Sequence, residues 1–227
     1  MKLFYRCIYP ISQFFFEHDV SRRWRVKRYL REHRISKLQL GSGQNLLPGW
    51  LNTDKSVPDN WAGAIYIDVR ERFPLPDESM DYVYSEHLFE HLNFIQAKNM
   101  LKESYRVMKP GGVIRLALPH IEFLLDLYQH PEKEINRRYI EWSAATDGRI
   151  PAMPVYVVNM FHTAWGHQII YDYETLAALL TDFGFKDVVR CEMSKSSHPE
   201  LCDIEGHFQV MPYDFACLET MIVEARK

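Results

Sequence analysis

Lys37-Leu-Gln-Leu-Gly-Ser-Gly43, continued by Gln44-Asn-Leu-Leu-Pro-Gly-Trp50 and Leu51-Asn-Thr-Asp54, is the stretch whose reading decides the fold. A short apolar strand runs into two glycines, and a second short strand then ends on an acid. Gly41 and Gly43 let the backbone turn sharply and leave open the space that a Cβ would fill. In an open α/β sheet, ligands bind beyond the carboxyl ends of the strands, and an acid after the second strand can accept from hydroxyls. A Gly-x-Gly pair fits an ordinary strand-ending turn equally well, so its weight comes from the strands and motifs downstream of it.

Ala64-Ile-Tyr-Ile-Asp68 reads as a third strand ending in an acid, and Met80-Asp-Tyr-Val-Tyr-Ser85 as a fourth, followed by Glu86-His-Leu-Phe-Glu-His91. Asn93, with Gln96 three residues on, opens a helix as a capping box. Ala97, Met100, Leu101, Ser104, Tyr105 and Met108 form its one face at helical spacing. Arg106-Val-Met-Lys-Pro-Gly-Gly112 stops that helix, and Val113-Ile-Arg-Leu-Ala-Leu-Pro119 reads as a fifth strand.

This series resembles the class I S-adenosylmethionine-dependent methyltransferases. It is most similar to a bacterial branch with Leu-Gly-Ser-Gly, Pro-Gly-Trp, Asn-x-Asp, Glu-His-x-x-Glu-His and Arg-Val-x-Lys-Pro-Gly-Gly in that order. The resemblance covers residues 37 to about 120 closely and continues through Trp165-Gly-His167 and Gly184-Phe185. It implies an α/β domain over 37–227 with a Rossmann-like, seven-stranded mixed sheet, mostly parallel with the last strand antiparallel, and helices on both faces. It implies S-adenosyl-L-methionine as cofactor, held by Leu40, Gly41, Ser42 and Gly43, with Asp54 on the ribose hydroxyls. Asp68 and Val69 would lie near the adenine, and Ser85 and Glu86 at the mouth of the fourth strand.

The chain departs from the family pattern at Gln39, where an acid usually stands, and at Asn45, where a third glycine is usual. The connection from Ser42 to Trp50 is also too short for a parallel crossover with a helix, which needs a dozen residues or more. The first helix is therefore expected to shrink to a turn. These departures bear on how the methionine end of the cofactor is held. They also keep open a non-catalytic methyltransferase-like protein that serves as a partner in surface-polysaccharide assembly, since fold does not fix function. A dinucleotide-binding enzyme is disfavoured, because Leu46 stands where the third glycine of that fingerprint belongs.

The 227 residues fit one domain, or a domain with an appendage. No apolar run approaches the roughly 20 residues of a membrane span, and the start of the chain lacks a signal-peptide pattern. Cys7, Cys191, Cys202 and Cys217 are scattered, as expected for reduced thiols in a cytoplasmic protein. Through Arg34 the chain carries nine basic and three acidic residues, a net of +6, while the whole carries −3, so the remainder carries −9. Residues 1–36 thus form a basic, aromatic arm. Ser21 can cap a helix through Arg34 with Val26, Tyr29, Leu30 and His33 on one face. The plain expectation is a docked helix with a solvated basic face. The functional alternative is weak contact with an anionic membrane surface, with Trp24 and Phe14–Phe16 as anchors, which would place the protein at the inner membrane face, or with a phosphate-bearing carrier. Nucleic acid is disfavoured by the acidic body.

Later elements read less cleanly. Ile121–Tyr128 and Glu132–Ala145 suit helices, and residues 145–170 read as an irregular lid or insertion, a structured surface loop being the equal alternative. Asp172 caps a helix ending at Gly184. Lys186–Met193 suits a strand, Ser194–Asp214 a long connection, and Leu218–Ala225 the last strand.

Methyl transfer asks mainly for alignment of acceptor, methyl and sulfur. A base is needed only where the acceptor must lose a proton, as a hydroxyl of a small molecule or glycan does; a nitrogen acceptor is the other expectation. His87, His120 and His162 are the candidates, in that order. His87-Leu-Phe-Glu-His91 also fits the His-x-x-Glu-His letters of inverted zincins. The pair follows a strand directly and no third ligand is evident in sequence, so no metal is expected. Glu90 and His91 are read instead as satisfied polar anchors of the turn.

Overall fold

The computed structural model describes residues 20–56 and 63–227; the Phe14–Phe16 cluster lies outside them. The described elements run α1 (Val20–Glu32), β1 (Lys37–Leu40), β2 (Leu51–Asp54), β3 (Ala64–Tyr66), β4 (Met80–Glu86), α2 (Phe94–Val107), β5 (Met108–Pro119), α3 (Ile121–Gln129), α4 (Glu134–Asp147), α5 (Pro154–Thr163), α6 (Tyr173–Asp182), β6 (Lys186–Cys191), α7 (Tyr213–Glu219) and β7 (Thr220–Arg226). Their seven strands make one sheet in the order β3-β2-β1-β4-β5-β7-β6. β1, β2, β3, β4 and β5 pair in parallel. β7 runs antiparallel to both β5 and β6. This is the Rossmann-like mixed sheet the motif series implied. Strand order reverses between β1 and β4, which places the glycine turn after β1 at the switch point where such sheets bind ligands.

No helix connects β1 to β2. The turn that replaces it is tied down by the residue that departs from the family pattern. Gln39, buried in β1, donates from Nε2 to the Asn45 carbonyl at 3.0 Å and accepts from the Leu47 amide at 3.4 Å. Asn52 closes the same turn through Leu47. A carboxylate at position 39 could accept from Leu47 but could not donate to Asn45.

Alternation along the strands separates two apolar layers. Leu38, Leu40, Val83, Ile114, Leu116, Leu118 and Val223 join Met100 and Leu101 of α2 and Leu176 and Leu180 of α6. The α2 helix starts at a full capping box between Asn93 and Gln96, as the sequence signalled. On the opposite face Tyr84, Val113, Ala117 and Ile222 pack beneath Trp50, Met193, Leu201, Ile204 and Ala216. A third cluster, built on Phe123, Leu127, Tyr139, Ile140, Val157, Phe161 and Phe215, joins α3, α4, α5 and α7. The α1 helix docks through buried Val26 and Tyr29, and the Tyr29 hydroxyl bonds to Lys37 and Gly49. Trp24 on its other side is exposed beneath Arg28.

Some boundaries differ from the sequence reading. β3 ends at Tyr66, short of Asp68. Lys109–Gly112 belongs to β5 as a bulge, because pairing with β4 steps from Met108 to Val113. The stretch read as an irregular lid contains α5, with Pro154 in its first turn and Val157 and Phe161 buried one turn apart. Pro154 stands at the start of that helix. The end of the long connection forms α7, which buries Phe215 and Ala216.

Candidate functional site

The turn after β1 and the end of β2 interlock. Gly41 and Gly43 have φ of +68° and +49°. A Cβ on Gly41 would lie 2.8 Å from Leu88 Cδ2, so the turn packs directly on the segment that follows β4. Around Gly43 there is nothing within 4 Å of a Cβ position, so its surface faces open space. The Ser42 amide donates to the Thr53 carbonyl at 2.9 Å. Asp54 accepts from the Gly43 amide at 3.0 Å and from the Ser56 amide at 2.7 Å. Those two bonds hold the carboxylate at the lip of the turn.

The other residues expected at the cofactor fall differently. Leu40 and Val69 are buried core residues. Asp68 is held by Arg70, which donates from its side chain to both carboxylate oxygens and from its backbone to one. Burial works to raise the Asp68 pKa, but the Arg70 contacts outweigh it and hold the carboxyl below its ordinary value. Ser85 is buried, and its hydroxyl has no hydrogen-bond partner. Glu86 accepts from the amides of Gly206 (3.0 and 2.9 Å) and His207 (3.0 Å). It therefore ties the 205–207 loop across the end of β4.

Beyond that loop lies a cavity of about 400 Å³. His87, Glu90, His91, His167, His207 and Glu219 supply its polar wall, and Tyr139, Trp142 and Phe161 much of its apolar wall. His87 leaves β4 with φ +46°, a conformation that non-glycine residues rarely adopt and that tends to mark functional segments. Its ring lies against that of His207, with centroids 3.8 Å apart. Nδ1 of His87 is 3.2 Å from Glu90 Oε1. Burial lowers the affinity of His87 for a proton, but Glu90 more than offsets this and the pKa is raised above the ordinary histidine value. Glu90 is likewise pushed up by burial and pulled lower by the His87 contact, with a net lowering. Beside His87, His207 Nε2 is 2.9 Å from Glu219 Oε1, and Tyr139 donates its hydroxyl to the other oxygen of Glu219.

Of the three histidines proposed as bases, His87 alone lines this cavity. His120 precedes α3, where Glu122 and the Leu218 carbonyl engage its ring nitrogens. Burial, the largest influence, lowers its pKa despite Glu122. His162 is exposed on α5, one position from the buried Phe161 and so on the outward side of the helix. His207 and Glu219 carry no site signal in the sequence, whereas His167, beside Trp165-Gly166, stands among its further site candidates. His167 arrives because Gln168 and Ile169 donate their amides to the Glu90 carbonyl at 2.7 and 3.2 Å. His207 arrives through Glu86 on one side and buried Arg115 on the other, the latter pairing with Glu205 and Glu224. Only the Trp165-Gly-His167 motif offered a signal for any of this.

Residues 52–116 match the family model described as a methyltransferase domain. No curated protein sequence matches the chain. Among solved structures, the chain is similar to an S-adenosylmethionine-dependent methyltransferase from Archaeoglobus fulgidus at 16% identity, covering 90% of this chain and 92% of that one, with a TM-score of 0.50. It is also similar to a Thermotoga maritima methyltransferase described as a possible histamine N-methyltransferase, at 17% identity over 100% and 99% of the two chains, with a TM-score of 0.50. These likenesses establish the class I methyltransferase fold. The matched domain, which spans β2 to β5 and includes His87 and Glu90, supports an S-adenosylmethionine-dependent enzyme. No helix among the described residues is long and apolar enough to cross a membrane.

Proposed function

We propose that this protein transfers the methyl group of S-adenosylmethionine to an oxygen or nitrogen of a small-molecule or glycan-type acceptor. The observation that carries the reading is the juxtaposition of two sites on one segment. Gly41 of the cofactor turn rests on Leu88, and the residue before it, His87, lines the cavity. A cofactor on the Gly41–Gly43 turn, with its ribose at Asp54, would thus lie next to the cavity wall from which an acceptor is presented. The unpartnered Ser85 hydroxyl at the same strand end supports a ligand there.

The cofactor supplies an activated methyl group, and the chain's part is to orient the acceptor, exclude water and take a proton where one must leave. His87 is suited to the last task. With a proton on Nδ1 shared toward Glu90, Nε2 is the accepting nitrogen, with Thr220 Oγ1 3.4 Å from it, and Glu90 orients the ring as a carboxylate orients a catalytic histidine. Tyr139, Trp142 and Phe161 give the acceptor an apolar and aromatic surface, a wall suited to the face of a sugar or another ring.

Calorimetric titration of S-adenosylmethionine tests the reading. Asp54→Ala removes a charge-assisted contact worth about 1.5–3 kcal/mol and should weaken binding roughly tenfold or more with the fold retained. Unchanged affinity in a folded variant removes Asp54 from the site. No binding by the wild-type protein favours the non-catalytic partner of surface-polysaccharide assembly instead.

A further inference from the structure

We infer that Glu90, His91 and His167 form a binding site for a divalent transition-metal cation of the zinc class, opening into the cavity. Of the His-x-x-Glu-His letters, Glu90 and His91 take part, and the fold brings His167 to them as the third ligand that the local sequence lacks. The backbone of Gln168 and Ile169 docks on the Glu90 carbonyl, and Trp165 and Gly166, at φ +55° and +82°, turn the chain so that His167 stands beside His91. The two imidazole rings lie 4.8 Å apart, edge to face. One ligand atom from each of Glu90, His91 and His167 falls within 4.8 Å of the others. Zinc bonds of about 2.0–2.2 Å in a tetrahedral site put ligand atoms about 3.4 Å apart, so the closure required is small.

Two further observations point to a cation rather than to a settled hydrogen-bond network. Glu90 is fully buried, and its Oε2 has no hydrogen-bond partner while Oε1 faces His87. A buried carboxylate oxygen left unpaired is costly, and a metal ion is one of the few groups that removes the cost. His167 holds Nδ1 2.8 Å from the Phe161 carbonyl, which can only accept. That contact fixes the proton on Nδ1 and leaves the Nε2 lone pair for a metal, the arrangement by which metal-binding histidines are usually oriented.

The adjacent triad of His87, His207 and Glu219 has comparable spacing but is already satisfied internally, through His207 with Glu219 and Glu219 with Tyr139. Two imidazoles and one carboxylate make a ligand set found in catalytic zinc sites. The set disfavours magnesium and calcium, which take oxygen ligands.

Tag-free full-length protein, stripped with a chelator and dialysed, is titrated with cobalt(II), which reports ligation through its visible d–d bands, and then with zinc in competition. Wild type should take up about one cobalt per chain in a low-symmetry, nitrogen- and oxygen-ligated spectrum, displaced by zinc. His91→Ala and His167→Ala should each weaken uptake about tenfold or more, whereas His162→Ala, on the exposed side of α5, should not. Glu90→Gln keeps the side-chain volume and serves as the third variant where a histidine variant fails to fold by circular dichroism. Absence of stoichiometric uptake by wild type overturns the site. So does uptake that survives His167→Ala but is lost in His207→Ala, which places the ion on the neighbouring triad. The readout is metal uptake alone, so its failure is distinct from failure of the methyl-transfer reading.

Discussion

The glycine turn after β1 and the histidine cavity sit on two sides of one short segment, residues 87–91, yet they are built in opposite ways. The turn is local. Gly41, Gly43, Gln39, Asn45, Asn52 and Asp54 lie within one strand-turn-strand unit, and nearly every contact that shapes it joins residues close in sequence. The cavity is assembled from afar. His87, Glu90 and His91 follow β4, His167 follows α5, His207 hangs in a loop, and Glu219 ends α7. Local chain geometry can hold a ligand at a turn, but only packed elements and buried charges can bring six polar side chains from four parts of the chain to one wall.

The comparison can be broken first at Arg115. This arginine is fully buried in β5 and pairs with Glu205 and Glu224, and it donates to the Lys195 carbonyl at 3.0 Å. Arg115→Leu leaves two buried carboxylates without their partner. Loss of one member of a buried ion pair typically costs about 3–5 kcal/mol. Urea denaturation should show a loss of that order, and the loop that carries His207 should become the segment most open to limited proteolysis. A loss below about 1 kcal/mol would show that the loop is held by Glu86 alone.

On the local side the effects are smaller. Gly41→Ala forces a left-handed backbone worth about 1–2 kcal/mol against a side chain and drives a methyl into Leu88. Gly43→Ala meets the same backbone constraint but no neighbouring atom. The two variants compared by chemical denaturation should therefore differ, with Gly41→Ala the less stable. Equal losses would mean that Leu88 yields freely and that the turn and the cavity segment are not mechanically joined.

The smallest effect concerns acid. Glu103 of α2 accepts from the Phe73 amide at 2.9 Å and from Arg106. Burial raises its pKa, but the Arg106 and Phe73 contacts outweigh this and the net shift is downward. A carboxylate lowered in the folded state adds stability above its unfolded pKa, about 4.3, and that stability is lost as pH falls through the folded value. Glu103→Gln should lower the melting temperature at pH 7, and the gap to wild type should narrow below about pH 4. A gap that stays constant with pH would mean that the carboxylate charge contributes nothing.

Much of the scaffold was legible because it obeys short-range rules. The capping box at Asn93, the period of α2, the end of β2 at Asp54 and the shrunken first crossover were readable within windows of a few residues. Local signals pointed the wrong way elsewhere. The stretch 145–170 showed no clear period, yet Pro154 starts α5 within it, because a proline in the first turn forfeits no helical hydrogen bond. Glu90 looked like a satisfied anchor, but one of its oxygens is buried without a partner.

The sequence alone settled where strands stand, the glycine turn and the placing of His87 directly after β4, since these rest on periodicity, turn chemistry and motif order along a continuous chain, while the seven-stranded sheet was what the family resemblance implied. Tertiary structure alone decided which other histidines meet His87. His167 is delivered by backbone bonds to Glu90, and His207 by carboxylate contacts spanning more than a hundred residues, whereas His120 and His162 fall outside the cavity. Side-chain convergence depends on how helices and loops pack over the sheet. That packing is set by long-range burial and ion pairing, and no local spacing encodes it.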